Sequence, residues 1–247
     1  MAEADERIRL CAPFVKQDIV SSIYENKKPD VQIDIISNFN LANFYNGSSD
    51  IEAFKIIIKN GGKVFNYQSL HAKVYIFDNK YSLITSSNLT TAGFERNYEY
   101  GALFTDWSLI SKTIEDYEMI CSNDSTGVID YKKIISLEKL LESISDNHKY
   151  KKQIYVNTNE VDNLLNIDTN LLLQNMNSWQ RLTFHVISLI NNQVFSLAEV
   201  YEYEQIFQTN YPNNNTIRDS IRRNLQELRD LGLIKFLGNG IYKKLWV

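Results

Sequence analysis

His71, Lys73, Ser86 and Asn88 are the residues of this 247-residue chain whose types and spacing most readily do chemistry. An imidazole can attack phosphorus or move a proton near neutral pH, an ammonium attracts phosphoryl oxygens, and a hydroxyl and a carboxamide add neutral donors. Together they suit a phosphate ester. For any one of them alone, a polar strand end facing solvent is the plain alternative.

A hairpin has to position them. Leu70 to Phe77 and Tyr81 to Ser87 are runs rich in Val, Ile, Tyr and Phe, and Asp78-Asn79-Lys80 between them carries turn chemistry. A two-residue loop at Asn79-Lys80 sets His71 opposite Asn88, Lys73 opposite Ser86, Val74 opposite Thr85 and Ile76 opposite Leu83. A loop at Asp78-Asn79 moves the register by two and keeps the faces. Side-chain alternation then gathers His71, Lys73, Ser86 and Asn88 on one face at the end away from the turn, with Ala72, Val74, Ile76 and Leu83 on the other.

His71-x-Lys73-x4-Asp78, then Ser86-x-Asn88, then Glu99, resembles the HKD motif of the phospholipase D superfamily at every spacing. Thr85 stands where the family most often has Gly. The resemblance implies that His71 attacks phosphorus and forms a phosphohistidine, that Lys73 and Asn88 hold the phosphate, and that Glu99 orients the imidazole. Asp78 is then a supporting residue in the turn, and neither metal nor cofactor is needed.

Composition bounds the function. A net charge of −4 argues against nonspecific coating of nucleic acid or membrane, so DNA contact must come from a local patch. Cys11 and Cys121, the two cysteines, have no ligand spacing and read as buried thiols in a reducing compartment. The first residues lack a basic and apolar leader, and no apolar run approaches bilayer length, so the expectation is a cytoplasmic protein without membrane contact.

In chain order, Arg7 to Cys11 reads as a strand, Phe14 to Asn26 as a helix after Pro13, and Val31 to Ser37 as a strand. Residues 39 to 49 read as a polar and aromatic loop, with Ser49 or Asp50 capping a helix from Ile51 to Lys59 that Gly61-Gly62 ends. Lys63 to Tyr67 is a strand before the hairpin, Glu99 to Thr105 another after it, and Trp107 to Cys121 a closing helix. Strands alternating with helices imply an α/β domain, with a mixed, largely parallel sheet flanked by helices, as in the superfamily fold. This nuclease-like domain is assigned to 1–125. Ser122 to Gly127 reads as a linker, and 126–177 as a connector or small subdomain with a helix over Ile134 to Ile144; His148 within it is read as a surface residue.

A second domain spans 178–247. Trp179 to Asn191 and Ser196 to Gln208 read as helices, the latter with Ser196 and Glu199 as a capping box. Thr216 to Asp230 is a third, with Ile217, Ile221, Leu225 and Leu228 along one side and Arg218, Arg222 and Arg229 on a neighbouring row. Leu233 to Leu237 and Ile241 to Trp246 form a hairpin around Gly238-Asn239-Gly240. Three helices followed by a hairpin make a winged helix, whose third helix commonly enters the major groove. His185, in the first helix, reads as a packed or boundary residue.

From Tyr211 to Val247 there are seven Lys or Arg against three acids, a local charge of +4. Asn214, Asn215 and Arg218, at the start of the third helix, are candidates for base edges; Arg222, Arg223, Lys243 and Lys244 are candidates for phosphates. The stretches Pro212 to Asp219, Arg223 to Gly232 and Phe236 to Tyr242 are similar to the C-terminal winged helix of the restriction endonuclease that cuts adenine-methylated GATC. That similarity implies double-stranded DNA as partner.

The combination points to a sequence-specific type II restriction endodeoxyribonuclease acting through a phosphohistidine without metal. Rival readings are a phosphodiesterase for lipid or another substrate, a winged-helix regulator with an inactive α/β domain, and a metal nuclease built on Pro29-Asp30 and Asp78-x-Lys80. A P-loop is excluded, because Gly61-Gly62-Lys63 continues with Val64 and lacks the upstream Gly. In-line displacement is best served by two imidazoles, yet neither His148 nor His185 is followed two residues later by Lys. The expectation is therefore a homodimer with one active site at the subunit interface, the way family members with a single motif pair.

Overall fold

The computed structural model describes residues 3–145, 164–165 and 168–246. His148 lies outside the described residues, as does much of the connector assigned to 126–177. The chain divides into two compact units, 1–39 with 43–134, and 40–42 with 135–247.

The first unit is built on β1 (Arg7–Cys11), α1 (Gln17–Asn26), β2 (Gln32–Ser37), α2 (Leu41–Tyr45), α3 (Ile51–Lys59), β3 (Val64–Asn66), β4 (Val74–Phe77), β5 (Tyr81–Thr85), a π-helical turn (Ala92–Arg96), β6 (Gly101–Phe104), α4 (Trp107–Cys121) and β7 (Gly127–Ile129). The seven strands lie in the order β6-β5-β4-β1-β2-β3-β7. Only β1 with β2 and β2 with β3 run parallel, because α1 and α3 supply crossovers there. All other pairings are antiparallel, so the sheet is mixed but not largely parallel. The short loop from β4 to β5 is a hairpin turn, which cannot join parallel neighbours, whereas residues 86–100, with the π-helical turn, return the chain from β5 to an antiparallel β6. β7, just past 125, pairs with β3 and extends this sheet.

Sequence period placed most elements, and tertiary packing explains the rest. α3 buries Ala53, Phe54 and Ile57, and Phe54 meets Phe39 and Phe44 edge-on at centroid distances of 5.2 and 5.7 Å. The stretch expected as a loop over 39–49 thus contains α2, too short to carry a helical period. Gly62 is obligatory: a Cβ there would lie 2.0 Å from the Ile33 carbonyl oxygen.

The hairpin differs by one residue from the expected register. Val74 pairs with Ile84, Tyr75 with Leu83, Ile76 with Ser82 and Phe77 with Tyr81, leaving a three-residue loop, Asp78-Asn79-Lys80. Asp78 takes φ 51°, the left-handed conformation that a short polar residue tolerates. Its carboxylate accepts from the backbone N–H groups of Asp5, Glu6 and Arg7 at 2.8, 2.9 and 2.8 Å, which ties the turn to the start of β1. Those three bonds explain why the longer loop wins.

α5 (Tyr131–Ser145) begins in the last residues of the first unit, and the second unit also holds α6 (Asn170–Leu173), α7 (Ser178–Leu189), β8 (Val194–Ser196), α8 (Leu197–Tyr201), α9 (Glu204–Asn210), α10 (Ile217–Asp230), β9 (Ile234–Gly238) and β10 (Ile241–Lys244). The strands form a small antiparallel sheet in the order β8-β10-β9. Capping boxes start α7, through Asn177 and Gln180, and α8, through Ser196 and Glu199. Ile217, Ile221, Leu225 and Leu228 of α10 are buried, as their spacing required. The helix expected over 196–208 is broken between Tyr201 and Glu204. This is a winged helix with a third strand that the sequence pattern did not reveal.

Candidate active site and nucleic-acid interface

Lys73 enters the site from the start of β4. Its Nζ donates to the His71 carbonyl oxygen at 2.7 Å, and the residue is only 9% exposed. Burial lowers the affinity of this amine for its proton, while the Glu99 charge opposes that shift. Such a half-desolvated ammonium is a stronger electrostatic partner for a phosphoryl oxygen than one in open water. His71 itself is exposed, and among the described residues its imidazole makes no hydrogen bond.

Ser86 and Asn88 follow β5. The backbone N–H of Ser86 donates to the Tyr100 carbonyl at 2.9 Å, so the pairing of β5 with β6 continues past their assigned ends. From below, the Tyr75 hydroxyl donates to the Ser87 carbonyl at 2.7 Å. Gly93 closes over the same segment; a Cβ there would stand 2.6 Å from the Asn88 carbonyl oxygen and 2.6 Å from Ser87 Oγ. Only glycine fits. The Asn88 Oδ1 is buried and has no hydrogen-bond partner among the described residues.

Glu99 precedes β6. Ser86 Oγ donates to Glu99 Oε2, and Asn97 Nδ2 donates to Oε1 at 3.0 Å. These bonds, Ser86 first and Asn97 second, hold the carboxyl below its ordinary pKa, and Lys73 adds to the effect. No bond joins Glu99 to His71, so the hydrogen bond expected between them is not made within a single copy of this structure. In the observed register Lys73 backs Thr85, whose N–H donates to the Lys73 carbonyl at 3.1 Å, and Ser86 turns toward β6. The residues still share one end of the sheet, but β6 assembles them as much as the hairpin does. Thr85, at the position where the family has Gly, donates to the Tyr100 carbonyl at 3.0 Å and so reinforces the same junction.

Asp78 lies at the opposite end of the hairpin, in the turn. Burial raises its pKa, but the three backbone bonds and Lys80 outweigh that and leave it lowered. Behind the site, burial pushes the thiols of Cys11 and Cys121 up to about 12. Cys11 is buried as expected; Cys121 is half-buried. Among the described residues, no group of three His, Cys, Asp or Glu could hold a metal ion. No described helix is long and apolar enough to cross a membrane.

In the winged helix, the residues proposed for DNA divide. Arg222 and Arg223 are exposed on α10, and Asn215 is exposed just before it. Arg218 is also exposed, but its Nε donates to Glu204 at 2.9 Å and its guanidinium lies 4.8 Å from the centroid of the Tyr201 ring. Asn214 works locally: its Oδ1 accepts from the Thr216 N–H at 2.8 Å and its Nδ2 donates to Ser220 Oγ at 2.9 Å, which ties the start of α10. Its carboxamide is therefore not free to read a base.

Lys243 is half-buried on β10 and already has a partner. Lys244 corrects the expectation outright. It is 6% exposed, its ammonium donates to the Ile190 carbonyl, and burial lowers its pKa. Strand alternation sends Lys243 and Lys244 to opposite faces, and Lys244 takes the inward one. Arg229, counted in the basic row, is likewise buried against Asp230 at 2.8 Å. His185, expected to be packed or at a boundary, is exposed.

Three residues escaped the sequence reading: Asn97, Tyr201 and Glu204. Asn97 stands two positions before Glu99, a spacing that would have signalled a partner for it. Tyr201 and Glu204 act across helices, and nothing local marks them.

Residues 1–121 match the family model described as "Cardiolipin synthase, PLD-like domain", and residues 175–244 match the one described as "Dam-replacing HTH domain". Among solved structures, the chain is similar to Nuc, a phospholipase D family member from Salmonella typhimurium, at 22% identity over 52% of this chain and 85% of that one, with a TM-score of 0.44. NucT from Helicobacter pylori matches at 22% identity over 53% and 85%, with a TM-score of 0.39. Phosphatidylserine synthase from Haemophilus influenzae matches at 19% over 57% and 37%, with a TM-score of 0.43.

Proposed function

For a chain that joins a phospholipase D-like domain to a winged helix of the Dam-replacing type, we propose the activity of a sequence-specific type II restriction endodeoxyribonuclease. The domain pair supports a phosphodiesterase or nuclease with DNA as partner; sequence specificity, metal independence and pairing are this reading's own. What supports it is that His71, Lys73, Ser86, Asn88 and Glu99 flank the same ends of β4, β5 and β6, with Ser86 bonded to Glu99, in a chain that also exposes Arg218, Arg222 and Arg223 on α10.

His71 attacks phosphorus through a ring nitrogen. A P–N bond forms, a P–O bond breaks, and the leaving oxygen takes a proton from His71 of a second copy. Water activated by that second imidazole then attacks the phosphohistidine and restores His71. Lys73 and Asn88 hold phosphoryl oxygens throughout, and Ser86 fixes Glu99 beside them. The scheme calls for no metal.

A second copy has a surface to meet. β6 is an edge strand whose Leu103 is 61% exposed, and Ile84, Tyr98, Tyr100, Trp107 and Leu109 around it are exposed as well. An apolar edge of this kind next to Glu99 invites pairing, and a two-fold axis there would bring two copies of the site together.

The test is to incubate the protein with methylated and unmethylated DNA in EDTA and sequence the ends. Cuts at one sequence support the reading. Cuts without preference leave a nuclease but remove the restriction activity, and binding without cutting makes the chain a regulator.

A further inference from the structure

We infer that Tyr201 and Glu204 set Arg218 as a guanine-reading side chain, a specificity device that rests on the winged helix engaging DNA as proposed above. Arg218 is the second residue of α10, and its side chain is 60% exposed while that of Glu204 is 25% exposed. The bond to Glu204 is made through Nε, at 2.9 Å. A guanidinium carries five N–H donors in one plane, and a bond at Nε leaves the outer pair, Nη1 and Nη2, free. That pair is the fork that matches two adjacent acceptors.

On the major-groove edges, guanine alone offers two adjacent acceptors, O6 and N7. Adenine offers an acceptor beside a donor, which would face one N–H of the fork with another. The geometry therefore selects one base.

The surroundings restrict what else Arg218 can do. The Tyr201 ring, 4.8 Å from the guanidinium carbon, limits its rotation, so less freedom is lost when the base is bound. Glu204 neutralises its charge, which weakens its pull on phosphates and favours a base edge. Arg223 has no hydrogen-bond or ion-pair partner among the described residues and Arg222 lies 3.7 Å from Asp219, so both keep more of their charge for phosphates. Glu204 and Tyr201 are positioning residues here; they need not touch DNA.

The test selects duplexes from a randomised library with the full chain, in a His71→Ala background so that DNA survives. The parent should require guanine at one position, and 7-deazaguanine there should weaken binding about tenfold, through loss of the N7 acceptor. Arg218→Ala should abolish that requirement. Glu204→Ala should relax it while steepening the salt dependence, because Arg218 becomes free to reach phosphate. Tyr201→Phe, which keeps the ring, should leave the preference intact, whereas Tyr201→Ala should blunt it. Thermal melts confirm that each variant is folded. An unchanged guanine preference in Glu204→Ala or Arg218→Ala, with binding retained, overturns the inference and leaves the DNA-binding reading in place. No duplex binding by the parent overturns both.

Discussion

Glu99 accepts its hydrogen bonds from Ser86 and Asn97, not from the imidazole of His71. The carboxylate that should steady the nucleophile is instead clamped to the strand that carries the phosphate-binding end of the site. Removing the clamp should loosen both: Ser86→Ala should slow cleavage by about 100-fold, the loss expected when one donor at a developing charge is removed or misplaced. Asn97→Ala should slow it less and leave DNA affinity unchanged. Single-turnover rates alongside binding isotherms check this, and an equal loss of affinity would indicate general disorder of the segment instead.

Asp78 answers for stability. Its carboxylate satisfies three backbone N–H groups, so Asp78→Ala should destabilise the fold by about 2–4 kcal/mol, by leaving those donors unpaired. The neighbouring Asp5, paired with Lys28 and Lys80, has its pKa lowered to about 2. Both carboxyls titrate lower folded than unfolded, so each contributes stability above its unfolded pKa of about 4 and loses it as pH falls, Asp5 through about 2. Melting temperatures from pH 7 to pH 2 should fall more shallowly in Asp5→Asn than in the parent at the acid end.

Pairing of two copies across β6 makes a separate claim. Leu103→Arg should shift the protein from dimer to monomer in sedimentation and remove cleavage together with it, since the leaving oxygen loses its acid. A monomer that cuts at the parental rate would contradict the composite site.

The two lysines of β10 should behave unlike each other and unlike the arginines. Lys244→Met should leave the salt dependence of DNA binding unchanged, because its ammonium is buried against the Ile190 carbonyl. Arg223→Ala should weaken all sequences alike and lower the salt slope by about one unit. Titrations at several salt concentrations separate the two.

What the residues foretold and what they hid follows from range. The bounds of α3 and α4 and the buried row of α10 were legible because period is a local property, and the spacing from His71 to Glu99 could be read for the same reason, its chemistry being a proposal. The hairpin register was not, since its three-residue loop is held by N–H groups more than seventy positions away. The preponderance of antiparallel pairing was missed for a similar reason: alternating strands and helices suggest crossovers, yet only α1 and α3 provide them. On the winged helix, charge could be counted but not directed. Lys244 and Arg229 are inside, Asn214 is engaged in its own turn, and the partners of Arg218 come from α8 and α9.

The most direct measurement of the central claim is to quench the protein in acid during cleavage of DNA in EDTA and to map the adduct by mass spectrometry. A phosphodiester-linked DNA end on His71, absent in His71→Ala and turning over in step with product, is the expected result. Cleavage that requires Mg²⁺ and proceeds with no adduct on His71 would contradict it.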